Sequence, residues 1–190
     1  MNEPEVVTSL KGHFLIAMPG LQDPNFFQTV VLICEHNADG ALGVVVNRVH
    51  PSLRAAEIFS EIEIPCTEKV GDRPIHIGGP VHQGGLFVLH GPPFGWEGTL
   101  VVNEALALSN TTDLVRTIGQ EQGPQDFLIL LGCAGWGAGQ LESELLENTW
   151  LTNEADVELI FEATPEKQWE EAIRRMGIDP MLLSSNAGHA

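Results

Sequence analysis

The sequence predicts a mixed α/β protein of the α+β kind: one compact domain with a mixed β-sheet or partial barrel flanked by a few helices. Short runs rich in Val, Ile, Leu and Phe recur along the chain and end at Gly, Pro, Asn or Asp, as strands do. Several of these runs are apolar throughout rather than alternating, which indicates strands covered on both faces. Helical periodicity occurs at fewer places, mainly in the last third, so we expect helices packed on a sheet.

Seven runs are predicted to be strands. They cover residues 14–18, 29–34, 42–46, 86–90, 99–102, 127–131 and 157–161. The longest irregular stretches are residues 65–73 and 90–98.

Four segments are predicted to be helices. The clearest one follows Thr164, because Pro165 suits the first helical position and Gly177 suits a C-terminal stop. Between them, apolar residues fall at helical spacing: Trp169, Ala172, Ile173 and Met176. The other predicted helices cover residues 112–118, start near Gly139, and cover residues 53–59.

The 190 residues are predicted to form a single domain over residues 1–190, because no linker, repeat or low-complexity segment divides them. The chain has nine Lys and Arg residues and 26 Asp and Glu residues, which gives a net charge of −17. Such a charge repels nucleic-acid phosphates and anionic lipid, so it disfavours direct binding to either. It permits basic partners or cations, although a well-solvated face explains it equally.

The sequence predicts a cytoplasmic protein. Cys34, Cys66 and Cys133 form no CxxC pair, which is typical of reduced thiols in a cytosol. The acidic start, Met1-Asn2-Glu3-Pro4-Glu5, differs from the basic start of a signal peptide. No apolar run approaches the roughly 20 residues of a membrane span.

The most informative stretch is the glycine-rich run of residues 131–142, which predicts a strand, a glycine loop and the start of a helix. Backbone N–H groups of such a loop can point at a ligand. The run matches neither the dinucleotide pattern, since Gln140 replaces its last glycine, nor a P-loop. Packing alone also explains the glycines. Cys133 is either an activated nucleophile or a buried thiol, and Trp136 either stacks on a ligand or fills the core.

Polar residues also follow two other predicted strands. Glu35 and His36 come at the end of one, and Asn47 and Arg48 come just past the next. Such groups line a cleft or simply form turns. A Gly78-Gly79-Pro80 turn lies beside a histidine, but neither H-x-H nor H-E-x-x-H occurs, so we predict no metal and no cofactor.

Taken together, four stretches resemble the AlgH/YqgE family of uncharacterised bacterial proteins. They are Gly12-His13-Phe14-Leu15-Ile16-Ala17-Met18-Pro19 with Asp23-Pro24-Asn25-Phe26 and Thr29-Val30; Glu35-His36-Asn37 with Gly40-Ala41-Leu42-Gly43 and Val46-Asn47-Arg48; Gly78-Gly79-Pro80-Val81 with Phe87-Val88-Leu89-His90; and Leu131-Gly132, Ala134-Gly135-Trp136, Gly139-Gln140-Leu141-Glu142 and Trp150-Leu151. The ending, Gly188-His189-Ala190, is similar as well. Family members often carry Tyr at position 133 and Arg at position 85, where this chain has Cys133 and Gly85.

The resemblance implies a compact mixed α/β domain with no assigned enzymatic activity and a connection to transcriptional regulation of exopolysaccharide synthesis. No helix-turn-helix signature is present, so we expect any regulation to be indirect, through a protein or a small molecule.

Our leading hypothesis is a binding or regulatory protein without catalysis. The predicted ligand cleft is formed by Glu35, His36, Asn47, Arg48, Gly78, Gly79, Pro80, Gly135, Trp136, Gly137, Gly139 and Gln140. The alternatives are an enzyme of hydrolase or transferase type with Glu35 or His36 as its acid or base, and a nucleic-acid-binding protein, which the acidity disfavours.

Overall fold

The computed structural model describes residues 9–183. The acidic start and the family-like ending named above lie outside this range. The strands are β1 (His13–Ala17), β2 (Val30–Asn37), β3 (Gly40–Val45), β4 (Val49–Arg54), β5 (Pro74–Ile77), β6 (Val81–His90), β7 (Leu100–Val101), β8 (Ala107–Ser109), β9 (Phe127–Gly137) and β10 (Trp150–Glu154). The helices are α1 (Ala55–Glu61), α2 (Glu68–Gly71), α3 (Thr112–Gly119), α4 (Gln140–Leu146), α5 (Val157–Phe161) and α6 (Pro165–Arg175), with a 3-10 turn at Pro180–Leu182.

The strands form one mixed sheet organised around β9, which confirms the predicted fold class. The strand order is β10-β1-β2-β3-β9-β6-β8-β7. One edge of β9 pairs with β6, and the other edge is shared, with β5 beside its first half and β3 beside its last four residues. The β5–β9 pair is parallel, whereas the other pairs in the described range are antiparallel.

Apolar side chains form three clusters around this sheet. The largest cluster joins Phe14 of β1, Leu108 of β8 and Ile173 of α6, so strands near both ends of the sheet curve around the same helix. A second cluster packs α1, α2 and α3 on β5, β6 and the first half of β9. The third lies under α4, on the other face of β1, β2 and β3, and contains Trp136 and Trp150.

Six of the seven predicted strands and all four predicted helices are confirmed, with shifted ends. The strand predicted at residues 157–161 is wrong, because this segment is the helix α5. Asp156 caps that helix, since its carboxylate accepts hydrogen bonds from the backbone N–H groups of Glu158 and Leu159. A short apolar run suits a buried strand or a helix equally well, and here the cap decides.

The predicted glycine loop is also wrong, because β9 continues through it as far as Gly137. Its last four residues pair with β3, from Ala134 opposite Gly43 to Gly137 opposite Gly40. Pairing with a neighbouring strand occupies backbone groups that a ligand cradle would need. The strands β4, β5, β8 and β10 and the short helix α2 were not predicted. Within residues 9–183, no helix has the length and apolarity to cross a membrane.

Three glycines allow the chain entering β6 to cross very close to β9. A Cβ atom on Gly78 would lie 2.3 Å from the carbonyl oxygen of Gly132, and one on Gly79 would lie 2.3 Å from that of Cys133. Gly78 also bonds to both neighbours, since its N–H donates to Leu131 and its carbonyl accepts from Val45. Gly78 and Gly79, predicted as ligand residues, therefore join β3, β5 and β9.

Buried His76 lies next to this crossing, on β5. His76 is only 4% exposed. Burial, together with the smaller effect of the nearby positive charge of Arg73, lowers the pKa of its imidazole to about 4.

We expect Gly78→Ala to destabilise the fold by about 3 kcal/mol, because the new methyl group meets backbone rather than a flexible side chain. Gly84→Ala is the matched control, since nothing lies within 4 Å of the added Cβ atom. Urea unfolding of both variants measures the difference. Equal stability of the two variants would show that the crossing is not as tight as described.

The depressed pKa of His76 makes stability depend on pH. An unfolded histidine takes up its proton near pH 6.5, whereas folded His76 resists protonation down to about pH 4. The contribution of neutral His76 to the free energy of unfolding is therefore complete above about pH 6.5 and is lost as the pH falls towards 4. Between pH 7 and pH 5 the free energy of unfolding falls by about 2 kcal/mol through this group. We expect His76→Leu to reduce this loss of urea stability. His82→Asn, at an exposed position, is expected to leave it unchanged.

Candidate functional site

A pocket of about 270 Å³ lies where α4 packs against the sheet. Its walls come from the last residues of β9, from α4, from the start of β10, and from residues 18–29 between β1 and β2, here called the pocket loop. The lining residues are Leu21, Asp23, Phe26, Gly135, Trp136, Gln140, Glu144, Thr149 and Trp150. Gly135, Trp136 and Gln140 were predicted as site residues, and the structure brings these three together.

Three aromatic rings form the apolar wall of the pocket. Phe26 of the pocket loop lies edge-on to Trp150, with 5.6 Å between ring centroids, and tilted to Trp136, with 6.2 Å between centroids. The two indoles meet at 6.3 Å in a T-shaped arrangement. Both tryptophans are less than a tenth exposed, so their positions are fixed by packing.

The carboxylate of Glu144 fixes both indoles through hydrogen bonds. One of its carboxylate oxygens accepts the indole N–H of Trp136 at 2.9 Å and that of Trp150 at 2.8 Å. The other oxygen accepts the amide of Gln140 at 2.9 Å, one helical turn earlier on the same face of α4. The side-chain oxygen of Gln140 in turn accepts the backbone N–H of Gly137, which ties the end of β9 to the helix.

Asn47 and Arg48 do not line the pocket but support its loop. The guanidinium of Arg48 donates to the carbonyl oxygens of Pro24 at 2.6 Å and Phe27 at 3.1 Å. Asn47 donates to the carbonyl of Gln28 and accepts the N–H of Val30. Burial lowers the pKa of the Arg48 guanidinium. Both side chains therefore fix the backbone that presents Phe26.

His36 supports the pocket from the far side of α4. Its Nδ1 accepts the backbone N–H of Leu10 at 3.0 Å, so Nε2 carries the proton and donates to Glu142 at 2.8 Å. Both ring nitrogens are thus engaged, and the residue is 6% exposed. A hydrogen bond from the backbone N–H of Glu142 itself lowers the pKa of that carboxyl, and the bond from His36 lowers it further.

The remaining predicted residues lie apart from the pocket. Glu35 points to solvent from β2. Gly137 lies at the end of β9, and Gly139 precedes α4 with a left-handed backbone, φ +74°. Gly78 and Gly79 serve the strand crossing, and the half-buried Pro80 follows them. The predicted cleft is therefore dispersed, and of its twelve residues only Gly135, Trp136 and Gln140 line this pocket.

The activated-thiol reading of Cys133 is wrong. Cys133 is 1% exposed in the main core, and burial raises the pKa of its thiol instead of lowering it. In the described part of the chain, no three His, Cys, Asp or Glu side chains converge as a metal site.

Sequence reasoning missed six lining residues: Leu21, Asp23, Phe26, Glu144, Thr149 and Trp150. A partial signal was present, because the family-like stretches include Asp23, Phe26 and Trp150. Nothing in the linear spacing places these beside Trp136, since β10 reaches it only by pairing with β1 at the edge of the sheet.

Comparison with known proteins places the chain in a family. Residues 14–181 match the family model described as AlgH-like. The chain is 49% identical over 181 residues to a UPF0301 protein of Desulforapulum autotrophicum, which covers 95% of this chain and 96% of the relative. A UPF0301 protein of Methylococcus capsulatus is 48% identical over 182 residues, with the same coverage.

Two solved structures share the fold. The solution structure of AlgH from Pseudomonas aeruginosa has a TM-score of 0.80 and 42% identity, covering 100% of this chain and 99% of that one. The crystal structure of DIP2367 from Corynebacterium diphtheriae, with a TM-score of 0.69 and 23% identity, covers 96% and 91% and shows the fold alone. The agreement of sequence and fold over nearly the whole length shows that this chain belongs to the AlgH-like, UPF0301 family.

Proposed function

We propose that this protein is a non-catalytic binding protein of the cytoplasm, and that its site is the aromatic pocket formed by Phe26, Trp136, Trp150 and Glu144. The carrying observation is that one carboxylate fixes both indoles while a braced loop supplies the third ring. A concave site with rigid aromatic walls and few polar groups is the usual form of a small-ligand site.

The way the pocket is braced supports binding rather than packing alone. Arg48, Asn47 and Gln140 use side-chain hydrogen bonds to hold backbone around the opening. Rigid walls reduce the conformational entropy that the protein loses when a ligand binds. Five of the twelve residues predicted from the sequence have one of these two roles. Gly135, Trp136 and Gln140 line the pocket, and Asn47 and Arg48 hold its loop.

Any effect of this protein on transcription is proposed to be indirect. The net charge of −17 opposes contact with DNA phosphates. A ligand-responsive change in the pocket loop, read by a protein partner, is compatible with that charge. The three cysteines are all free, which agrees with the proposed cytoplasmic location.

The alternative of an enzyme with a Glu35 or His36 base gains no support. A general base needs a free lone pair within reach of a substrate. His36 has both ring nitrogens engaged, and Glu35 lines none of the pockets of the described chain that we identify.

The proposal is tested by finding a ligand and moving it with one substitution. Mass spectrometry of the natively purified protein and a thermal-shift screen of a small-molecule library supply candidates, because a ligand that binds only the folded state must raise the melting temperature. We expect Phe26→Ala to weaken binding roughly tenfold, because a lost aromatic contact is worth about 1–1.5 kcal/mol.

Phe27→Ala is the matched control. Phe27 is the next residue of the pocket loop and is 47% exposed, and its backbone carbonyl, which bonds to Arg48, is retained. Equal losses in the two variants, or failure of every co-purified and library compound to shift the melting temperature, would contradict the proposed site.

A further inference from the structure

We infer that the ligand of the aromatic pocket is a small organic cation, which places an alkylammonium group beside Glu144 and against the rings of Trp136 and Trp150. This inference rests on the proposed function and names the chemical class that the site takes.

The first observation is a carboxylate whose charge is not balanced. Glu144 is half-buried and accepts three hydrogen bonds, from two indole N–H groups and one amide. All three donors are uncharged, so they orient the carboxylate and leave its negative charge in place. Among residues 9–183, no Lys, Arg or His lies within salt-bridge distance of it.

The geometry of Glu144 leaves room for one further donor. One oxygen carries two hydrogen bonds and the other carries only the bond from Gln140. A carboxylate offers about four lone-pair sites. An ammonium N–H is the charged donor that both completes the set and neutralises the group.

The second observation is the aromatic surroundings. Ring faces carry negative quadrupole charge, and a cation placed against Trp or Phe is attracted to it, most strongly when it is partly desolvated. Phe26, Trp136 and Trp150 all line the pocket beside Glu144. The carboxylate attracts an ammonium group and repels an anion, and the faces of the rings act in the same direction on the part of the ligand that lies against them.

The third observation is the charge of the whole lining. The charged lining residues are Asp23 and Glu144, both acidic, and no Lys or Arg belongs to the wall. Arg48 contacts the loop, since its guanidinium donates to the carbonyls of Pro24 and Phe27. Its charge acts on Asp23, so the charge of Glu144 remains for the ligand.

The size of the pocket sets the size of the group. A volume of about 270 Å³ corresponds to the liquid volume of about nine water molecules. Ligand pockets for larger organic molecules start near 300 Å³ and extend to about 1,000 Å³. A short alkylammonium chain, free or as the side chain of a larger molecule, fits the smaller volume.

The test uses three probes of four carbon atoms that carry different end groups: n-butylammonium, n-butanol and butyrate. Binding is followed by NMR through the four indole N–H resonances. Trp136 and Trp150 report on the pocket, whereas Trp96 and Trp169 lie outside it, the latter bonded to the carbonyl of Ala17. We expect n-butylammonium alone to shift the pocket resonances in a saturable way.

The matched variants are Glu144→Gln and Glu147→Gln. The first keeps an oxygen acceptor for the indoles and removes the charge, and the second removes an exposed charge nearby that does not line the pocket. We expect Glu144→Gln to weaken n-butylammonium binding at least about tenfold and Glu147→Gln to change it little. Unshifted Trp96 and Trp169 resonances verify that each variant is folded.

Two results would overturn the inference. If n-butanol or butyrate shifts the pocket resonances as strongly as n-butylammonium, the site binds a ligand of another class, and the proposed binding function stands without the cation. If none of the probes shifts them, the site takes no alkylammonium. The proposed function then depends on its own library screen. The comparison of probes on the unmodified protein remains decisive even where Glu144→Gln does not fold.

Discussion

The close crossing of two backbones at Gly78, Gly79 and Gly132 is the constraint on which the rest of the structure depends. At this point β3 and β5 meet end to end along one edge of β9, while β6 begins on the other edge. Contacts of about 2.3 Å to a hypothetical Cβ leave space only for hydrogen atoms. A side chain at one of these glycines would push the two backbones apart. It would do so at the point where β9 changes from its parallel pairing with β5 to its antiparallel pairing with β3.

The same strand carries this constraint to the pocket. Because β9 pairs with β3 up to Gly137, the side chain of Trp136 is held on the face that α4 covers. Glu144 then joins Trp136 of the central strand to Trp150, which lies on β10 at one end of the strand order. One carboxylate thereby links the central strand, the edge strand and the helix. Its charge has no cationic partner among the described side chains, which is why we propose this contact as a binding site.

The sequence predicted the elements with strong local signals. Helix α6 was found because Pro165, the apolar spacing and Gly177 all agree, and local agreement of this kind survives in the tertiary fold. Elements with weak signals were missed: β4 is a polar edge strand, and β5, β8 and β10 have five residues or fewer. The segment that forms α5 was misassigned because its five residues, four of them apolar, are too few to show a period of their own.

The sequence by itself singled out Trp136 and Gln140 as candidate site residues, because they belong to one contiguous glycine-rich run, and the structure shows that both line the pocket. The sequence also determined the family, through motifs spread over nearly the whole length. Only the tertiary structure decided that the run is a paired strand, that Arg48 and His36 support the site, and that Phe26, Glu144 and Trp150 complete it. The reason is physical: Phe26 reaches Trp136 and Trp150 from more than a hundred residues away along the chain, and β10 is placed by its pairing with the equally distant β1. Side-chain spacing within a segment does not record such contacts.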